Sequence, residues 1–132
     1  MCGETNHGRF NVIVYNDRII RISATLDESF EDFSYAVVAT PQSDNYTVTE
    51  HHDVIEIRTD VLILAITKSP VRFSFKTIDQ RLINEDDPAF GTSWNGEQVT
   101  TYKKLQEGER FIGLGEKTGP LVAFIDVGAD PD

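Results

Sequence analysis

The chain has 132 residues, 39% of them hydrophobic, and this length allows one domain around one core. Its formal net charge is −10 and its 12 basic residues are scattered, so a nucleic-acid partner is not expected. The single cysteine, Cys2, rules out an internal disulfide, and no apolar run reaches the roughly 18 residues of a membrane span. We therefore expect a soluble protein without a membrane partner, in the cytoplasm or periplasm of a bacterium.

The beginning of the chain predicts a β-hairpin. Residues 1–10 are expected to be a frayed N-terminus. Residues 11–15 are rich in the β-branched and aromatic residues that are typical of strands, and residues 18–22 resume this pattern. Asn16-Asp17 lies between them, and these residue types tolerate the positive φ of tight hairpin turns.

The stretch that follows the hairpin carries signals for both a helical turn and a strand. Phe30, Phe33 and Val37 have helical spacing across acidic residues, which allows a single helical turn. Residues 34–39 nevertheless read as a strand that stops before Pro41, because proline cannot donate a ladder hydrogen bond.

The central part of the chain predicts four strands. The run at 61–66 has no polar residue and should be buried on both faces, whereas the others alternate and should have one wet face. The predicted strands are residues 47–50, 54–59, 61–66 and 71–76.

The last third predicts loops and two more strands. Residues 84–88 read as a polar acidic loop, and residues 89–96 continue it as a glycine-containing connection. Strands are predicted at 102–105 and 110–114, with a turn between them, and residues 122–132 form a tail of uncertain origin. Eight or nine short strands with turns about every ten residues predict an all-β, antiparallel β-sandwich over residues 11–121, with little or no helix.

The familiar catalytic signatures are absent from the sequence. It has no phosphate-binding loop, no nucleophile elbow and no paired cysteines for zinc. His51 and His52 are adjacent, so in a strand they point to opposite faces and do not favour one metal site. Pairs of acidic residues such as Asp86-Asp87 are interpreted as solvated surface. We expect no catalytic residue, no metal and no cofactor.

Trp94, the only tryptophan, is the best candidate for ligand contact. It stands beside Asn95 in a predicted loop, and an aromatic ring next to an amide can stack on a sugar and hydrogen-bond to it. The alternative interpretation is that Trp94 caps the core or an interdomain contact.

Residues 109–121, with the sequence ERFIGLGEKTGPL, carry a recognisable motif. The segment resembles the sequence that closes the N-terminal domain of family 31 glycoside hydrolases, with Ile112 where the family often has tyrosine. Upstream strands resemble that domain more loosely, in the same order, from residue 11 onward. After Leu121 the chain departs from the family, which usually continues with a basic, polar stretch.

The resemblance implies a galactose-mutarotase-like β-sandwich that packs beside a catalytic (β/α)8 barrel and edges its active site. The family includes retaining α-glucosidases and α-xylosidases, whose catalytic aspartates lie in the barrel. A barrel needs about 200 or more residues, so we expect this chain alone to be inactive.

Two other functions stay open at this stage. One is a stand-alone carbohydrate-binding or protein-interaction module that uses Trp94 and Asn95 for α-linked sugars. The other is a mutarotase-like enzyme that uses His51 and His52. If the barrel is missing, an apolar face should be exposed, which predicts some homo-oligomerisation.

Overall fold

The computed structural model describes residues 1–5, 8–30, 35–42, 44–112 and 122–123. These residues form antiparallel strands and contain no helix, which confirms the predicted all-β class. No described helix is long and apolar enough to cross a membrane. The strands are β1 (Cys2–Thr5), β2 (Gly8–Asn16), β3 (Ile19–Thr25), β4 (Thr47–Glu50), β5 (Val54–Arg58), β6 (Leu62–Lys68), β7 (Val71–Thr77), β8 (Leu82–Glu85), β9 (Thr92–Asn95), β10 (Gln98–Thr101), β11 (Phe111–Ile112) and β12 (Val122–Ala123).

Two sheets form the sandwich, and both are meanders in which neighbouring strands are consecutive in the chain. The first sheet has the order β1-β2-β3 and the second has the order β4-β5-β6-β7-β8. Strands β9 and β10 form a separate hairpin, and β11 pairs with β12.

The core lies between the two sheets. Alternate residues of β2 face strands of the second sheet, and the rings of Phe10 and Phe73 meet edge to face with centroids 5.4 Å apart. Leu64, in the central strand β6, has no exposed surface. The buried apolar cluster consists of Phe10, Val12, Val14, Ile57, Leu64, Ile66 and Phe73.

Strand β6 is buried on both faces near its centre, so the prediction for the apolar run at 61–66 is confirmed in part, whereas Ala65 is half-buried and Thr67 is exposed. Leu64 faces the core, while Ile63 faces the other side and is also buried. Its cross-strand neighbours are Arg58 and Lys76, whose aliphatic stems can cover an apolar residue while their charges stay in water.

The N-terminal residues differ from the prediction. β1 pairs with β2 from Cys2↔Asn11 to Thr5↔Gly8, so the described part of residues 1–10 belongs to a sheet and the prediction of a frayed end is wrong there. The physical reason is Phe10, which is buried in the core, and whose ring lies against the backbone of Gly3. A frayed segment would expose that ring to water.

The first hairpin is confirmed, with its turn shifted by one residue. β2 runs through Asn16 and the turn residues are Asp17 and Arg18. The Asn16 side chain accepts a hydrogen bond from the Arg18 N–H at 2.9 Å, which closes the turn.

Two predicted strands are not formed. Residues 35–39 have no strand conformation, and Tyr35 and Val38 are almost fully exposed. β-Propensity reflects packing on a sheet, so an apolar run without such packing does not become a strand. Residues 102–105 contain only an isolated bridge at Lys103, because the strand lies earlier, in β10.

The remaining boundaries lie at the C-terminal end. The turn at 106–109 is confirmed, with the Glu109 N–H bonded to the Gln106 carbonyl at 3.0 Å. Of the predicted strand 110–114, residues 110–112 are described, and of these Phe111–Ile112 form a strand whereas Arg110 does not. Strand β12, Val122–Ala123, pairs with it, so the sheet pairing continues past residue 121. Ser34, residues 113–121 and residues 124–132 lie outside the described residues.

Candidate functional site

The segment from Asp86 to Lys104 is held against the second sheet by a buried carboxylate. Asp86 is 5% exposed and accepts hydrogen bonds from the Phe73 N–H at 2.9 Å and from the Lys103 ammonium group at 2.5 Å. The two bonds use different carboxylate oxygens, so both oxygens of Asp86 are occupied by contacts within the fold. The prediction that Asp86 belongs to a solvated acidic loop is therefore wrong: β8 extends to Glu85, and Asp86 follows it into the interior.

Arg72 fixes the loop that follows Asp86. Its guanidinium donates to the carbonyls of Asp87 at 2.9 Å and Ala89 at 3.0 Å. Gly91 is buried with a φ of +65°, and a Cβ atom there would lie 2.8 Å from Arg72 Nη1. A residue other than glycine at this position would be strained and would displace the guanidinium.

An exposed aromatic pair stands on this anchored loop. The rings of Phe90 and Tyr102 have centroids 5.1 Å apart and are tilted by 40°. Phe90 is 63% exposed and Tyr102 is 45% exposed. The Tyr102 backbone bonds to Gly91 and Asp87 at 2.9 and 3.0 Å, so the pair is an apolar surface on a rigid support. We call Phe90 and Tyr102 the aromatic pair.

Trp94 and Asn95 lie in strand β9, not in the predicted loop. Residues Gly96 and Glu97 form the two-residue turn to β10, and Gly96 has the positive φ, +61°, that such a turn needs. Trp94 is half-buried, and its ring lies close to the backbone of Gly8, where a Cβ atom would be 3.2 Å from it. Asn95 is exposed at the end of the hairpin.

This placement brings Trp94 to the first sheet and leaves Asn95 in solvent. The ring of Trp94 therefore packs against the backbone at the start of β2, while part of it remains accessible. Its cross-strand partner Val99 is exposed, so the hairpin carries apolar surface. Contact of these residues with a sugar stays a prediction.

The histidine pair has no site around it. His51 and His52 are exposed at the tip between β4 and β5, and His52 Nδ1 lies 2.6 Å from Asp53 Oδ1. Neither ring lines the cleft beside Tyr46 or the one beside Phe75, and among the described residues no three His, Cys, Asp or Glu side chains are grouped as metal ligands. His7 lies outside the described residues. The arrangement gives no support to a mutarotase-like site.

The aromatic pair, Arg72 and Asp86 were missed by sequence reasoning. Asp86 and Lys103 are 17 residues apart, and Arg72 reaches the carbonyls of a loop that begins 15 residues later. No local pattern in the sequence contains these contacts. The motif at 109–121 is described only through Ile112, so its remaining residues contribute nothing to the geometry described above.

The comparisons with known proteins agree with the fold. Residues 9–123 match the family model described as the glycosyl hydrolase 31 N-terminal galactose mutarotase-like domain. No curated protein matches the sequence significantly. Two solved structures of a Flavobacterium johnsoniae glycoside hydrolase family 31 dextranase are similar, one a mutant in complex with isomaltotriose and the other in complex with glucose.

Both dextranase structures share 28% sequence identity with the chain and superpose with a TM-score of 0.78. The alignment covers 89% of this chain and 15% of the dextranase chain. The chain thus spans a small part of the length of these relatives.

Proposed function

Because the chain belongs to the glycosyl hydrolase 31 N-terminal galactose mutarotase-like domain family, we propose that it works as the non-catalytic N-terminal domain of a retaining α-glucosidase-type enzyme. The observation that carries this proposal is the match over residues 9–123, which includes nearly all of β2 and every strand from β3 to β12. The buried carboxylate of Asp86 is consistent with a supporting role, since both of its oxygens are occupied within the fold.

The proposed partner is a catalytic (β/α)8 barrel of the same or a split protein. The aromatic pair supports this part of the proposal, because exposed, rigidly held aromatic side chains are typical anchors of protein interfaces. In this arrangement the loop at 87–91 and the β9–β10 hairpin edge the active site, and the barrel supplies the catalytic groups.

The proposed substrates of the whole protein are α-linked sugars. The dextranase structures contain isomaltotriose and glucose, which are ligands of that protein. Their relevance to this chain rests on family membership.

The first experiment measures hydrolysis of a nitrophenyl α-glucoside by the purified 132-residue chain. No turnover is expected, and turnover that follows the protein through purification would overturn the non-catalytic assignment. A mock purification from host cells that do not express the chain is the control for contaminating glycosidase.

A second experiment tests the partner directly. The chain replaces the matching segment of the Flavobacterium johnsoniae dextranase, and the chimera is compared with a deletion of that segment. We expect the chimera to be soluble and to hydrolyse dextran better than the deletion. A double substitution of Phe90 and Tyr102 by serine should lower the chimera's activity, whereas Tyr35→Ser, on an almost fully exposed tyrosine, should not. A chimera no better than the deletion would count against the proposed docking.

The second candidate function is a stand-alone carbohydrate-binding module. The favouring observation is that Asn95 is exposed beside the partly accessible ring of Trp94. Titration of maltose-type oligosaccharides, followed by NMR of the Trp94 indole N–H and the Asn95 side-chain amide, tests it. Unchanged signals at millimolar sugar would contradict this function.

A further inference from the structure

A cleft of about 310 Å³ opens at one end of the second sheet, where β4 begins, β5 ends and the turn after β7 passes. It shares no residue with the segment from Asp86 to Lys104. Its volume is at the lower limit of ordinary small-molecule sites, which suits one small ring. We call it the Tyr46 cleft. Its lining residues are Asn45, Tyr46, Thr47, Arg58, Thr59, Asp60 and Ile78.

The floor of the Tyr46 cleft is held by Thr59, which is 4% exposed. Its hydroxyl donates to the Asp17 carbonyl at 2.7 Å and accepts from the N–H groups of Val61 and Leu62 at 3.2 and 2.9 Å. These bonds join the turn between β5 and β6 to the first hairpin. The Ile78 N–H bonds to the Val61 carbonyl at 2.9 Å, so two walls of the cleft are fixed before a ligand arrives.

The cleft combines apolar and polar groups in the way that a sugar requires. Tyr46 and Ile78 are 43% and 40% exposed and supply an aromatic ring and an aliphatic chain. Asn45 donates from its amide to Asp60 Oδ2 at 2.8 Å, which orients two planar polar groups at the rim. Arg58 adds a cationic donor, and its Nη1 lies 3.8 Å from Glu56 Oε1.

The charges of the cleft favour a neutral ligand. Arg58 and Asp60 offset each other, and the chain as a whole carries a formal charge of −10, which repels anions. A pyranose presents an apolar face for stacking and hydroxyl groups that can donate to a carboxylate and accept from a guanidinium.

We propose that the Tyr46 cleft binds one neutral hexopyranose ring, with the ring stacked on Tyr46 and its hydroxyls bonded to Asp60, Asn45 and Arg58. The site is separate from the aromatic pair and from Trp94, and it requires no barrel. The proposal therefore holds or fails independently of the function proposed above.

The test is an NMR titration of the ¹⁵N-labelled 132-residue chain with glucose, maltotriose and isomaltotriose. Saturable shifts are expected for the backbone amides of residues 45–47, 58–60 and 78. Tyr46→Ala should weaken binding about tenfold, as expected for loss of an aromatic contact, while Tyr46→Phe keeps the ring and should bind nearly as well as the unmodified chain. Tyr35→Ala is the matched control and should leave binding unchanged.

A second variant keeps the proposal testable if Tyr46→Ala does not fold. Asp60→Ala leaves Tyr46 in place and should weaken sugar binding in the same direction. Glucose 6-phosphate should bind no better than glucose, because the cleft has no excess of cations. Three results would each overturn the proposal. The first is shifts confined to Trp94 and Asn95, and the second is tighter binding of the phosphorylated sugar. The third is Tyr46→Ala and Asp60→Ala variants that bind sugar as the unmodified chain does.

Discussion

Lys103→Met tests whether the buried carboxylate of Asp86 holds the segment that carries the aromatic pair. Methionine keeps most of the length of the lysine stem but removes the charge, so Asp86 retains only the hydrogen bond from the Phe73 N–H. Removing one partner of a buried ion pair costs about 3–5 kcal/mol, because the other charge stays buried. The Lys103 side chain is 34% exposed, so water partly replaces it, and we expect about 3 kcal/mol.

The assay is urea unfolding at neutral pH, followed by circular dichroism. Lys104→Met is the matched control on the adjacent residue. Its ammonium group lies 3.2 Å from Glu85 Oε1, but the side chain is 59% exposed, so the expected cost is below about 1 kcal/mol. The double variant Asp86→Asn/Lys103→Met should lose less stability than the sum of the single variants, because no buried charge remains unpaired. Equal costs for Lys103→Met and Lys104→Met would refute the reasoning.

Three further predictions concern the core, a surface ion pair and association. Leu64→Ala, in the centre of the sandwich, should lower the free energy of unfolding by about 3 kcal/mol in the same urea assay, and a loss below about 1 kcal/mol would contradict its place in the core. The ammonium group of Lys68, 2.5 Å from Glu50, lowers the pKa of that carboxyl, so this contact stabilises the fold above the ordinary pKa of glutamate and the stabilisation is lost as the pH falls through the lowered pKa. Lys68→Met should raise the pKa of Glu50 in a ¹³C NMR titration, and an unchanged titration would disprove the contact. The isolated chain should self-associate through the aromatic pair, so sedimentation should give a smaller mean mass for the Phe90→Ser/Tyr102→Ser variant, and a monomer at high concentration without the substitutions would refute this.

Strands whose alternation is strong could be predicted from the sequence. In β5, Ile55 and Ile57 face the core side while Glu56 faces outward, as the period of two indicated. The unbroken apolar run at 61–66 likewise predicted burial on both faces, which holds for Ile63 and Leu64, whereas Ala65 is only half-buried. These features are local, because the sheets are meanders in which each strand pairs with the next one.

The β9–β10 hairpin was not predicted. Its turn residues are Gly96-Glu97, and a glycine in the first position suits a two-residue hairpin turn, but the flanking residues alternate weakly, so residues 89–96 were interpreted as a connection. The opposite error occurred at residues 35–39, where Val37 and Val38 have high β-propensity but belong to no strand. β-Propensity alone does not indicate whether a segment lies beside a strand with which it can pair.

The candidate site could not be predicted because its contacts are tertiary. An acidic sequence such as Glu85-Asp86-Asp87 resembles solvated surface, and only the fold brings Lys103 and the Phe73 N–H to Asp86. The exposure of Phe90 likewise depends on how Arg72 holds the loop. Family resemblance indicates the domain type, whereas these interactions depend on the three-dimensional fold.

Trp94 lies against Gly8, so tryptophan fluorescence reports whether the β9–β10 hairpin is attached to the first sheet. The chain has one tryptophan, so its emission comes from a single place, the contact between β9 and the start of β2. Circular dichroism reports the strand content of both sheets, whereas the tryptophan emission reports only whether the β9–β10 hairpin is packed against the first sheet. A difference between the two signals during unfolding would mean that the hairpin detaches before the sandwich opens, and coincident signals would mean that the molecule opens as one unit.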